Sequence, residues 1–339
     1  MSAGLVVGIH GSELAAAERD WLAHPAVVGV ILFARNYQTP EQLNALTAEL
    51  RALREPRLLV CVDQEGGRVQ RFVDGFTRLP PLALIGRWYR SHPDRARDLA
   101  YRHGRVMAAE VLAHGVDLSL APVLDLDRGS RVIGDRAFSD DPDAVIDIAG
   151  WYLAGMRDAG MKCCGKHFPG HGSIAADSHD EIVTDARTLA ELADDLRPFQ
   201  ALAAQLDAVM PAHVCYPAVD PAPAGFARAW MDRLRGEIGF AGVIVSDDLD
   251  MAGAAGAGDL EQRWQACSGA GADLALVCRP ESAAALLCRI PDDRAVFQAA
   301  QEAVETLYGR AAFTLDEQLR VPEFRAWRAS LNTLSGESK

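Results

Sequence analysis

Eight short apolar runs, separated by stretches of helical periodicity, constrain this chain more than any other feature of its sequence. They are Leu5–His10, Val28–Phe33, Leu58–Val62, Leu118–Leu124, Met161–His167, Ala208–His213, Gly242–Ser246 and Asp273–Cys278. Several are continuously apolar, as strands buried on both faces of a parallel sheet must be. Between the runs the period lengthens. Leu43, Leu46, Leu50 and Leu53 mark one helical face, and Val145, Ala149, Leu153 and Met156 mark another. A third is read from Leu189, Leu192, Leu196, Phe199, Ala203 and Leu206.

Strands alternating with helices predict either a closed parallel barrel or an open doubly wound sheet. The count of eight favours a single (β/α)8 TIM-type barrel, and no GxGxxG turn follows the first run. A length of 339 residues suits that fold. Pro122 and Pro211 weigh against it, because a proline within a central strand loses a ladder hydrogen bond. Both fall near the ends of their runs, where strands stop or bulge. Asp63, Asp125, Lys166, His167, His213 and Asp247 also collect at these C-terminal ends, the rim on which barrel enzymes build their sites. No repeat, low-complexity tract or linker interrupts the pattern, so one domain over residues 1–339 is expected. Its polar last stretch, from about residue 315, is expected to wrap the surface or fray.

Composition narrows the partners. A formal net charge of −13 disfavours nucleic acid and anionic membranes, and no basic stripe with interleaved aromatics offsets it. No run of about 18 apolar residues offers a membrane span. The first ten residues lack the basic and apolar regions of a signal peptide. Seven cysteines form an odd set without framework spacing, and Cys61, Cys163, Cys164 and Cys278 sit in apolar runs as small hydrophobes. A reducing cytoplasm is the expected compartment, and a monomer the expected state.

Three segments carry chemistry. Asp63-Gln64-Glu65-Gly66-Gly67-Arg68-Val69-Gln70-Arg71 concentrates carboxylates and guanidinia around a glycine turn, a combination suited to sugar hydroxyls. Lys166-His167-Phe168-Pro169-Gly170-His171-Gly172 precedes Asp177-Ser178-His179. In an extended loop, residues two apart face the same side. Asp177 can therefore hold one ring nitrogen of His179, fix its tautomer and raise its pKa, leaving the other nitrogen for proton transfer. Finally, Gly242–Ser246 runs directly into Asp247-Asp248, where one carboxylate can cap a helix and the other can act as a nucleophile.

These segments, with Gly134-Asp135-Arg136, occur in an order that closely resembles the bacterial β-N-acetylhexosaminidases of glycoside hydrolase family 3, over nearly the whole chain. The resemblance implies Asp247 as nucleophile and His179 with Asp177 as the acid/base dyad. Asp63, Arg71, Arg136, Lys166 and His167 would bind the N-acetylglucosamine ring. It further implies an unsecreted cell-wall recycling enzyme that removes N-acetylglucosamine from 1,6-anhydro-N-acetylmuramyl (peptide) fragments, without cofactor or metal. Its partners would be small amino-sugar or muropeptide substrates.

Three other readings remain open on the sequence. A phosphorylase would use the same barrel with phosphate in place of water, since a histidine base repels phosphate less than a carboxylate does. A metal-dependent amidohydrolase would draw ligands from His10, His167, His171, His213 and Asp247, although no HxH or HExxH spacing supports it. A non-catalytic sugar-binding protein would leave the acid/base and nucleophile set without a purpose.

Overall fold

A computed structural model describes residues 2–174 and 183–336. Eight parallel strands form its centre: β1 (Gly4–Gly8), β2 (Val27–Leu32), β3 (Leu59–Val62), β4 (Leu118–Ser119), β5 (Cys164–Phe168), β6 (Ala208–Pro211), β7 (Val243–Asp248) and β8 (Leu274–Val277). Their spatial order is β4-β3-β2-β1-β8-β7-β6-β5. The sheet closes between β4 and β5. There Val123 bridges Lys166 in parallel, Cys164 N donates to Ala121 O at 2.8 Å, and Leu124 N donates to Lys166 O at 2.6 Å. The architecture is a (β/α)8 barrel.

The strands are linked by α1 (Ala16–Leu22), α2 (Pro40–Ala52), α3 (Leu82–Tyr89), α4 (Pro93–Ala113), α5 (Pro142–Ala159), α6 (Ala193–Leu202), α7 (Arg228–Asp232) and α8 (Leu260–Ala270). After β8 come α9 (Pro280–Leu287), α10 (Arg294–Thr306), α11 (Leu315–Arg320) and α12 (Pro322–Gly336). Side-chain alternation divides the apolar residues into two cores. Leu5 and Val7 of β1 face outward to the helices, with Val30, Leu32, Val60 and Val62. Val6 faces inward with Ile31, Leu59, Cys61, Cys164, Met210, Val245 and Leu276. At the N-terminal end, Ala300, Val304 and Leu307, from α10 and the residue after it, join the inner core and plug the barrel floor. All seven cysteines are free thiols.

Local departures from expectation have identifiable causes. The run 118–124 is regular only over Leu118–Ser119, since Pro122 has no N–H and its carbonyl instead accepts from Lys166 N at 3.2 Å. Pro211 is the last residue of β6. The third helical face is shorter than its spacing suggests. Thr188 and Glu191 cap each other in a turn before it, and a 3-10 turn over Ala203–Gln205 ends it. The polar C-terminal stretch, expected to wrap or fray, is helical. Phe324 and Leu331 are buried, and Arg328 Nε reaches Glu110 at 2.6 Å. Among the described residues, no helix is long and apolar enough to cross a membrane.

Candidate active site

A cleft of about 390 Å³ opens at the C-terminal mouth of the barrel. Six of the residues singled out in the sequence line it: Asp63, Arg71, Arg136, Lys166, His167 and Asp247. They come from the ends of β3, β5 and β7 and from the loops after β3 and β4. Asp177 and His179 lie outside the described residues.

The segment after β3 is a short antiparallel hairpin, Gln64–Gly66 against Val69–Gln70. Gly66 and Gly67 take φ values of +107° and +54° at its turn, which side chains with a Cβ rarely adopt. The Gln64 side chain fastens the returning strand: its oxygen accepts from Arg71 N and Phe72 N at 3.0 and 3.1 Å, and its nitrogen donates to Phe72 O at 2.9 Å. Because residues alternate faces, Glu65 points inward. Its carboxylate meets Arg136 in a two-bond fork, both at 2.8 Å, and Lys166 Nζ at 2.6 Å. Lys166 also donates to Asp63 at 2.7 Å, and Arg71 approaches Asp63 at 3.7 Å. A continuous chain of alternating charge thus runs along the cleft, with Glu65 buried behind Arg136 and Lys166.

Burial and charge compete within this network. Glu65 is only 1% exposed, and desolvation alone would raise its pKa. Arg136 and Lys166 outweigh that effect and hold the carboxyl far below the usual carboxylate range. Burial would lower the Lys166 ammonium, but Asp63 and Glu65 turn the net shift upward. Both stay charged near neutrality.

A second buried carboxylate supports His167. Asp125 accepts from His167 Nδ1 at 2.7 Å and from His171 N at 2.7 Å. Desolvation opposes its ionisation, yet His167 and His171 hold its pKa down. With Nδ1 engaged, Nε2 of His167 is the nitrogen left for a ligand. The Lys166–His167 peptide bond is cis.

The two carboxylates that end β7 divide their work. Asp248 Oδ1 accepts from Asp250 N at 3.0 Å and Cys278 N at 3.1 Å, tying the end of β7 to that of β8. Burial pushes its carboxyl up to about 6. No α-helix begins there: a turn leads to a 3-10 segment, Ala252–Ala257, so Asp248 caps a turn. Asp247 Oδ1 accepts from Asp248 N at 2.8 Å, and the residue lines the cleft beside Lys166 and His167.

The proposed metal set does not assemble. His10 and His213 do not line the cleft. His10 is about half exposed and bonds Glu18 at 3.0 Å and Glu281 at 3.1 Å. His213 is buried and stacks on Phe226, with centroids 4.8 Å apart. Among the described residues, no three His, Cys, Asp or Glu side chains are placed to hold a metal ion. Sequence reasoning placed Glu65 only within a sugar-binding segment, not at the centre of an ion-pair network, and assigned no role to Phe33, Met210, Met251 and Leu276, which form apolar parts of the wall. The inward alternation of the hairpin was the available signal for Glu65.

Residues 5–320 match the N-terminal domain of glycosyl hydrolase family 3. A β-hexosaminidase of Alkalilimnicola ehrlichii is 49% identical over 338 residues, covering 98% of this chain and 96% of the relative. The crystal structure of NagZ from Neisseria gonorrhoeae in complex with N-trifluoroacetyl-D-glucosamine superposes with a TM-score of 0.91 at 43% identity, covering 99% of both chains. A structure of the same Neisseria protein in complex with zinc ion gives 0.88 at 42% identity, again over 99% of both.

Proposed function

The chain belongs to glycosyl hydrolase family 3, and on that premise we propose that it is a retaining exo-β-N-acetylglucosaminidase working through a covalent glycosyl-enzyme. The observation that carries the reading is the meeting of Asp247 with Asp63, Arg71, Arg136, Lys166 and His167 around one cleft at the barrel mouth. β-Hexosaminidase is the activity named for its relatives, and an N-acylated glucosamine occupies the Neisseria structure.

Retention requires a nucleophile on one side of the anomeric carbon and a proton donor at the leaving oxygen. Asp247 supplies the nucleophile. It forms an ester bond to the anomeric carbon as the glycosidic bond breaks, and the departing oxygen takes a proton from His179. The neutral His179 then removes a proton from water, whose oxygen attacks the same carbon and releases Asp247. Asp177 orients His179. The charged groups along the cleft hold the sugar hydroxyls, and Glu65 and Asp125 hold those groups in place. The reaction is complete with these side chains and assigns no step to a metal. The substrates are 1,6-anhydro-N-acetylmuramyl (peptide) fragments of peptidoglycan, processed in the cytoplasm by a monomer built as one domain.

The test is labelling with a slow 2-fluoro N-acetylglucosaminide analogue, followed by peptide mapping. The label is expected on Asp247, and Asp247→Asn is expected to fold normally yet lose nearly all turnover. Label on Asp248, or turnover by Asp247→Asn close to wild type, overturns the assignment. Turnover that depends on inorganic phosphate instead identifies a phosphorylase.

A further inference from the structure

The arginines around the cleft differ in what they are paired with. Arg136 is engaged by Glu65 at the cleft floor. Arg128, just outside, binds Asp194 at 2.9 Å and Asp195 at 3.4 Å. Arg68 lies at the lip with its side chain 49% exposed, donates to the Val132 carbonyl, and shares the equally exposed Asp135 at 3.3 Å. Arg131 is exposed and lines the same cleft as Asp247, but it has no hydrogen-bond or ion-pair partner among the described residues. On a chain with thirteen surplus negative charges, the cleft is lined by five cationic side chains and three carboxylates.

Depth separates two groups of these cations. Lys166 and Arg136 are buried at the floor and Arg71 faces Asp63 at 3.7 Å, so the charge of these three is already matched by Asp63 and Glu65. A terminal sugar seated there presents its anomeric carbon to Asp247, and its leaving group must run outward across the lip. Arg68 and Arg131 are therefore the cations that the leaving group meets. A guanidinium fork at this position matches a carboxylate in shape as well as charge.

We propose that Arg131, assisted by Arg68, forms a leaving-group subsite that selects substrates carrying a carboxylate on the aglycone side of the scissile bond. The inference rests on the glycosidase reading above and adds to it the residues that choose among β-N-acetylglucosaminides. Because the subsite lies at an open lip, its contribution is partly screened, and a preference of about three- to tenfold is expected.

The experiment compares 3-(carboxymethyl)phenyl and 3-(carbamoylmethyl)phenyl β-N-acetylglucosaminide. The methylene insulates the phenol from the charge, so the two leaving groups have similar intrinsic reactivity. Wild-type kcat/KM is expected to favour the carboxylate substrate at low ionic strength, with the ratio falling toward one in 0.5 M salt. Arg131→Gln should lower the ratio several-fold, Arg131→Glu should invert it, and adding Arg68→Gln should bring the Arg131→Gln ratio to one. A wild-type ratio of one, or a ratio untouched by both Arg131 substitutions, overturns the subsite while leaving the glycosidase intact. Failure of the wild type to hydrolyse either glycoside overturns the glycosidase reading itself.

Discussion

Glu65→Gln isolates the charge at the centre of the network behind the cleft, because the side chain keeps its shape and loses only its ionisation. In the native protein this carboxylate is 1% exposed and faces Arg136 twice at 2.8 Å and Lys166 once at 2.6 Å. A glutamine oxygen can accept from one cation, but its amide N–H groups must then point at the other. Removing one member of a buried ion pair costs about 3–5 kcal/mol, and the acceptor that remains restores about 1 kcal/mol. A net loss of about 3 kcal/mol is expected at pH 7, equivalent to a fall in Tm of about 4 °C for a chain of this size. The loss carries a pH signature. Glu65 has its pKa depressed in the folded state, so its stabilisation is complete above the unfolded value, near ~4.3, and is lost as pH falls toward the folded value. The stability gap between wild type and variant should narrow by about 1.4 kcal/mol per pH unit below that point, or about 1 kcal/mol by pH ~3.5. Urea unfolding of both proteins at pH 7, 5 and 3.5 reads the gap directly, because other acid-sensitive groups cancel in the difference. A gap below about 1 kcal/mol at pH 7, or one that widens on acidification, would refute the reasoning. Turnover of an aryl β-N-acetylglucosaminide should fall at least tenfold in kcat/KM, as Lys166 and Arg136 lose their common anchor.

His179→Ala should slow hydrolysis of a natural disaccharide by about 10²–10⁴-fold, with less effect on the first step for activated aryl glycosides, which need little protonation. Wild-type rates on the disaccharide would send the search for the acid to Asp125, Glu65 and His213. Asp177→Asn should give a smaller loss than His179→Ala in the same assay, since the ring remains. Exhaustive chelation should leave turnover unchanged, with metal content followed by elemental analysis. Activity abolished by chelation and restored by zinc would revive the amidohydrolase reading.

The barrel was legible because its strands are buried on both faces. Each of the eight apolar runs overlaps a strand, and Asp63, Lys166, His167 and Asp247 at their C-terminal ends meet across the mouth although far apart in sequence. Lys166 and Asp63, for example, are separated by 103 positions. Less legible was where each element stops. Hydrophobic spacing sees Leu189 and Leu206 as continuations of α6, but it does not see the Thr188–Glu191 caps or the tightening over Ala203–Gln205. Nor does it see that Arg105 Nη2 reaches Gln318 at 3.0 Å and Arg328 reaches Glu110, polar contacts that help dock a C-terminal stretch with little apolar pattern of its own.

Within the site, residues that carry a motif were easier to find than residues that hold them. Glu65 and Asp125 look like ordinary polar residues near a strand end, since nothing local distinguishes a solvated carboxylate from a buried one. Their character comes from neighbours brought by other strands: Arg136 is 71 positions from Glu65, and His167 is 42 from Asp125. Each carboxylate is stripped of water and keeps its charge only because cations or N–H donors surround it. That dependence runs in both directions. Without Glu65, Arg136 and Lys166 would be two like charges buried together, and without Asp125 the His167 ring would lose the bond that fixes its orientation. The groups proposed to grip the sugar are therefore set by carboxylates behind them before substrate arrives, and the electrostatic work of assembling the cleft is done during folding.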